Sequence, residues 1–181
     1  MALILVDVCD GSCYTEYFDE QAECTISWDG ESVRIQGNKE YFTLLARQMI
    51  YFSCNDFCLP FGAHVHYDEF THIGCHGIEL VLEVIRAQPR DIVLDDSEEL
   101  CVEVTIPKCI EELYTRQPSG ASVRVECNAQ SVYILGNADG LIFIATALLF
   151  LIENGGNGTD LCCAEGLLAF WNGNAITFAL S

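Results

Sequence analysis

Three residues at alternate positions, His64, His66 and Asp68, carry the sharpest chemical signal in the chain. On a strand, successive side chains point to opposite faces, so residues i, i+2 and i+4 share one face. Two imidazoles and a carboxylate on one face can hold Zn²⁺ or another divalent ion, and His72, Cys75 and His76 lie close enough in sequence to add ligands. A metal there would make a nearby acid, Glu69 or Glu79, a candidate base for metal-assisted hydrolysis. The simpler reading is the polar outer face of a half-buried strand, with Val65 and Tyr67 pointing inward. On that reading no metal and no cofactor is expected.

Other catalytic patterns are thin. Cys54-x3-Cys58 lacks a second pair at zinc spacing. Gly155-Gly-Asn-Gly158 is glycine-rich but has no Lys-Ser/Thr after it, so it reads as a loop. There is no Gly-x-Ser-x-Gly nucleophile elbow. The expectation is a non-enzyme.

The elements that must position the histidines follow from patterning. Thr25–Trp28 and Ser32–Gln36, joined through Asp29-Gly30, read as a hairpin. Gly37 stops the second strand and Asn38 is suited to cap a helix, with Glu40 in the first turn. The helix is expected to run to about Ser53 and to be largely buried. Strands at about 63–70 and 78–85 follow. In the latter, Ile78, Leu80, Leu82 and Val84 face one way and Glu79, Val81 and Glu83 the other.

The chain also repeats itself. Ser32-Val-Arg-Ile-Gln-Gly-Asn38 aligns with Ser131-Val-Tyr-Ile-Leu-Gly-Asn137, each followed by an acidic residue and an apolar helical run. After a two-residue deletion His66-Tyr-Asp68 aligns with Cys163-Ala-Glu165, so the second unit offers Leu161, Cys163 and Glu165 where the first has its histidine face. The fold class is therefore α+β: two tandem units, each an antiparallel sheet with a long buried helix on one face. The units are expected at 1–88 and 89–181, joined near Arg86–Asp91; the alternative is one compact pseudo-symmetric domain. Oligomeric state is left open.

Composition narrows the function classes. The 181 residues carry 8 Lys+Arg against 27 Asp+Glu, a formal charge of −19. Such a surface repels phosphates and anionic lipid, which argues against nucleic acid or membrane as partner. With 51% hydrophobic residues the chain is not disordered. The field instead attracts basic proteins. The densest acidic run is Asp95, Asp96, Glu98 and Glu99; Glu16, Asp19 and Glu20 form a second group and Glu111 and Glu112 a third, and the first and third are the candidate partner contacts. The 11 cysteines are odd in number and sit mostly in apolar runs, and no export signal precedes them, so they read as reduced thiols of a cytosolic protein.

Gly37-Asn38-x-Glu40, an apolar helix, His64-x-His66-x-Asp68 and Glu79-Leu80 together resemble a bacterial immunity-protein family from polymorphic toxin systems. That family has a Gly-Asn-x-x-Gly-Leu helix start, a His-x-His-x-Asp strand and a Ser-x-Glu-Leu strand. The chain matches at Gly37, Asn38, His64, His66, Asp68, Glu79 and Leu80, and departs at Tyr41 and Gly77, where glycine and serine are usual. Gly136, Asn137, Gly140 and Leu141 repeat the helix start without the histidines. The resemblance covers Val33 to Ile85, and Val132 to Leu180 in degraded form. It implies a cytoplasmic antidote that binds a cognate toxin domain, a basic nuclease fitting the charge best, and occludes its active site without catalysis.

Overall fold

The computed structural model describes residues 1–8, 15–56, 58–60, 62–69, 74–85, 99–156, 158–165 and 168–181. The expected joint at Arg86–Asp91, the acids Asp95, Asp96 and Glu98, and His72 lie outside the described residues. The order is β1(Ala2–Asp7), β2(Cys24–Trp28), β3(Ser32–Gly37), α1(Lys39–Cys54), β4(His64–Tyr67), β5(Cys75–Gly77) and β6(Glu79–Val84). After the joint come β7(Glu99–Val104), α2(Ile110–Thr115), β8(Val123–Cys127), β9(Ser131–Gly136), α3(Ala138–Asn154), β10(Asp160–Cys163), β11(Trp171–Gly173) and β12(Ala175–Leu180). The class is α+β.

The local signals hold at the helix starts. Asn38 accepts from the Tyr41 backbone N–H at 2.9 Å and from Glu23 N–H at 3.1 Å, and donates to the Gln21 carbonyl at 2.7 Å. Asn137 does the same with Gly140, Ser122 and Gly120. Each asparagine thus satisfies an orphan helix N–H and ties the helix start to the strand before it. The preceding glycines leave room for the helix: a Cβ on Gly37 would lie 2.7 Å from the Tyr41 ring, and one on Gly136 equally close to Leu141.

The sheets differ from one antiparallel sheet per unit. One has the order β10-β12-β3-β2-β5 and the other β11-β8-β9-β6-β4, so each mixes parallel and antiparallel neighbours and draws strands from both halves of the sequence. β12 lies parallel to β3, with Ala175 opposite Ser32; β6 lies parallel to β9, with Glu79 opposite Ser131. A separate ribbon pairs β1 with β7, again across the halves.

The cause is local. β5 belongs to the first sheet and β6 to the second, yet only Ile78 separates them. Gly77 has φ +93°, and a Cβ there would lie 2.1 Å from the Ile26 carbonyl oxygen. The glycine lets the strand leave one sheet and enter the other at a sharp corner. Gly173, with φ +95° and the same approach to Val125, turns β11 into β12.

α1 and α3 pack on each other between the sheets: α1 touches β3 and β6, and α3 touches β9, β10 and β12. Both helices are buried around most of their circumference, which is why their sequences are apolar on nearly every side. Phe42, Leu45, Ile50, Phe52, Ile144 and Leu148 are fully buried there, each contributing ~1.5–3 kcal/mol of hydrophobic stabilisation. The buried Gln48 side chain bonds the backbone of Tyr17 and Thr15, anchoring the segment before β2.

Candidate functional site

β4 places the histidine face. Val65 and Tyr67 are fully buried, while His64 and His66 lie half-buried on the outer surface of the second sheet. Register then decides what stands beside them. His64 pairs with Glu83 and His66 with Val81; on β9, Leu135 pairs with Glu83, Tyr133 with Val81 and Ser131 with Glu79. Arg124 and Glu126 of β8 follow beyond Leu135 and Tyr133. The outer face is thus a patch of Val81, Tyr133 and Leu135 framed by two histidines, Glu79, Glu83, and the Arg124–Glu126 ion pair.

One network crosses this face. Glu79 Oε1 lies 2.6 Å from His66 Nδ1, and its Oε2 accepts from Ser131 Oγ at 2.7 Å. The Ser131 hydroxyl, then His66, hold the Glu79 carboxyl below the usual carboxylate range. The bridge spans β4, β6 and β9, so it joins the two halves of the chain. His64 Nδ1 contacts the Gly62 carbonyl oxygen at 2.6 Å, and the two imidazole rings meet edge to face at 4.9 Å. Asp68 follows the end of β4. Among the described residues, no group of three or more His, Cys, Asp or Glu side chains is arranged to hold a metal ion.

The other sheet presents a different outer surface. Ser32 opposite Ala175, as Ser131 is opposite Glu79, equates Ala175 with Glu79. The pairing of Asp160 with Ala179, like that of His64 with Glu83, then sets Asp160 against His64 and Cys162 against His66. This corrects the sequence alignment, which set Cys163 against His66: the offset is one residue, and a one-residue slip turns every side chain to the opposite face. Leu161 and Cys163 are indeed buried, whereas Cys162 is exposed. The second outer face carries Thr25, Ser27, Gln36, Thr177, Cys162, Ala175 and the Arg34–Asp160 ion pair, with no aromatic or branched aliphatic side chain among them. Large half-buried side chains gather on the histidine sheet alone of these two faces.

Residues 32–85 match the sequence model of the Immunity protein 32 family. The match runs from β3 through β6 and includes Gly37, Asn38, His64, His66, Asp68 and Glu79. It supports an immunity-protein role. No curated protein and no solved structure matches the chain. Within the immunity-protein match, Gly37 and Asn38 shape the helix start, while His64, His66 and Glu79 lie on one surface.

Of the acids named from the sequence, Glu99, Glu111 and Glu112 are among the described residues, and these three lie elsewhere. Glu99 is exposed at the start of β7, opposite Asp7. Glu112 is occupied within α2: it accepts from the Lys108 backbone N–H and pairs with Arg116. Glu111, held below the usual carboxylate range by its own backbone N–H and the Cys109 thiol, lines a mostly apolar cleft between α2, the end of α3 and β10. Tyr133, Leu135 and Ser131 were missed because they come from the other half of the sequence; the signal was available in the Ser131-Val-Tyr-Ile-Leu alternation, but not the strand beside which it lies. Among the described residues, no helix is long and apolar enough to cross a membrane.

Proposed function

We propose that this chain is an antidote: it binds a cognate bacterial toxin domain stoichiometrically in the cytoplasm and occludes its active site. The observation that carries the reading is the immunity-protein match over residues 32–85. The outer face of the histidine sheet suits docking. Tyr133 and Leu135 offer an apolar centre, and aromatic anchors ringed by polar groups are what hot spots are made of. Glu79 and Glu83 beside them, on a chain of net charge −19, favour a basic partner such as a nuclease. The run Asp95, Asp96, Glu98, Glu99, together with Glu111, is a second set of contacts that steers approach; Glu112 contributes less because its charge is already paired.

The test is a titration against the C-terminal domain of a large toxin encoded beside this gene, at low and moderate salt, with toxin activity followed in parallel. One-to-one binding that silences the toxin and weakens with salt is the expected result. Tyr133→Ala with Glu83→Lys should slow capture and raise Kd by 100-fold or more. Binding unaffected by that pair, but lost on charge reversal of 95–99, would move the interface. Absence of binding to the neighbouring toxin would sink the antidote reading.

A further inference from the structure

Cys24 and Cys75 are register partners on the parallel strands β2 and β5. Both are buried, and their Sγ atoms are 3.1 Å apart. Adjacent strands run ~4.7–4.9 Å apart, inside the ~4.4–6.8 Å Cα separation that disulfides use, so joining these sulfurs requires no strand displacement. β5 is three residues long and forms the edge of its sheet, the kind of element that opens locally while the rest stays folded. A cleft lined by Glu23, Cys24, Thr25, Gln36, His76 and Ser181 reaches this corner from outside.

The two thiols share one hydrogen bond. The hydrogen bond with Cys75 holds the Cys24 thiol below its ordinary range, and the same bond, reinforced by burial, pushes Cys75 up. The Tyr41 phenol, wholly buried, lies against Cys24 and is itself driven well upward, first by burial and then by the two sulfurs. Cys24 lines the cleft and Cys75 does not, so Cys24 is the thiol an incoming disulfide meets first, with Cys75 beside it to resolve the adduct.

We propose that Cys24 and Cys75 form a reversible dithiol–disulfide site that responds to low-molecular-weight disulfides. The Cys24 thiolate attacks glutathione disulfide, forming a mixed disulfide and releasing one glutathione thiolate. Cys75, its proton passing to solvent, then attacks the Cys24 sulfur, forming the Cys24–Cys75 bond and releasing the second glutathione. One dithiol is oxidised, one glutathione disulfide is reduced to two thiols, and dithiothreitol reverses the step. The bond fastens edge strand β5 to β2 just before the Gly77 corner.

The experiment holds the full-length folded protein in buffers of increasing glutathione disulfide to glutathione ratio, quenches with acid, alkylates free thiols and maps peptides. Expected is a linked Cys24–Cys75 peptide pair lacking two hydrogens, which disappears with dithiothreitol. The oxidised protein should also melt at a higher temperature, because the bond closes a long loop in the unfolded chain. Cys75→Ser should stop at a Cys24–glutathione adduct. Full alkylation of Cys24 and Cys75 in buffers that already glutathionylate the exposed Cys101 and Cys109 would overturn the proposal, as would linkage of Cys24 to any other cysteine. The wild-type map decides the matter even if the serine variant fails to fold.

Discussion

Expressing residues 1–85 and 99–181 as two separate chains should yield one complex rather than two proteins. Three ladders of six residue pairs, β1·β7, β3·β12 and β6·β9, cross between these fragments, and α1 packs on α3. Removing the covalent link replaces an effective concentration of ~1 mM with the real one. At ~10 µM fragments that costs about 2.7 kcal/mol, the free energy of a hundredfold concentration ratio. On the other side, Val33, Ile35, Leu80, Leu82, Val132 and Ile134 are all fully buried along those ladders. At ~1.5–3 kcal/mol each their full burial amounts to about 9–18 kcal/mol, and exposing even a third of it outweighs the cost. Co-expressed fragments should therefore co-elute one to one on size exclusion at ~10 µM. Their thermal midpoint should rise with concentration, unlike that of the single chain. Each fragment alone should aggregate or self-associate through the bare edges of β3 and β6, or of β9 and β12. Two fragments that each elute as folded monomers and do not associate would refute the shared-sheet account.

Two further outcomes follow from individual bonds. Asn38→Ala and Asn137→Ala should each cost ~1–2 kcal/mol in denaturant unfolding, since each side chain caps a helix and tethers the loop before it; a near-neutral value at either site would remove the cap from the account. Glu79→Gln with Ser131→Ala in a double-mutant cycle should give a coupling of ~1 kcal/mol, modest because the site is partly solvated. The folded carboxyl of Glu79 is held below its ordinary value, so its contribution is present above about pH 4.5 and is lost as pH falls through the lower folded value. Acid titration of stability should accordingly show a shallower decline in Glu79→Gln, and an unchanged acid limb would contradict the network.

Much of the local structure was legible in the sequence. Asp29-Gly30 closes a hairpin, Asn38 caps a helix, and the alternation of Leu80, Leu82 and Val84 against Glu79 and Glu83 marks one strand with two unlike faces. What was not legible was partnership. β6 and β12 are six-residue strands at equivalent places in the two halves, so nothing in either says which of β3 and β9 it will lie beside. The deciding features are the corners at Gly77 and Gly173, each of which ends a three-residue strand too short to show any period. The same blindness hid the site: His66, Glu79 and Ser131 are brought together by a register across the halves, and a slip of one residue in the alignment was enough to set the buried Cys163 where the exposed Cys162 belongs.

Sharing strands between halves also sets a timetable for the nascent chain. β3 is complete at residue 37, but its parallel neighbour β12 starts at residue 175. At ~5–20 residues per second, the roughly 140 intervening residues take about 7–30 s to make. Throughout that interval the long-range pairing cannot close, and loop-closure entropy makes such distant contacts slow even afterwards. The emerging first half therefore waits with the edge of β3 unpaired, and β12 is the strand that joins the sheet the β2–β3 hairpin began.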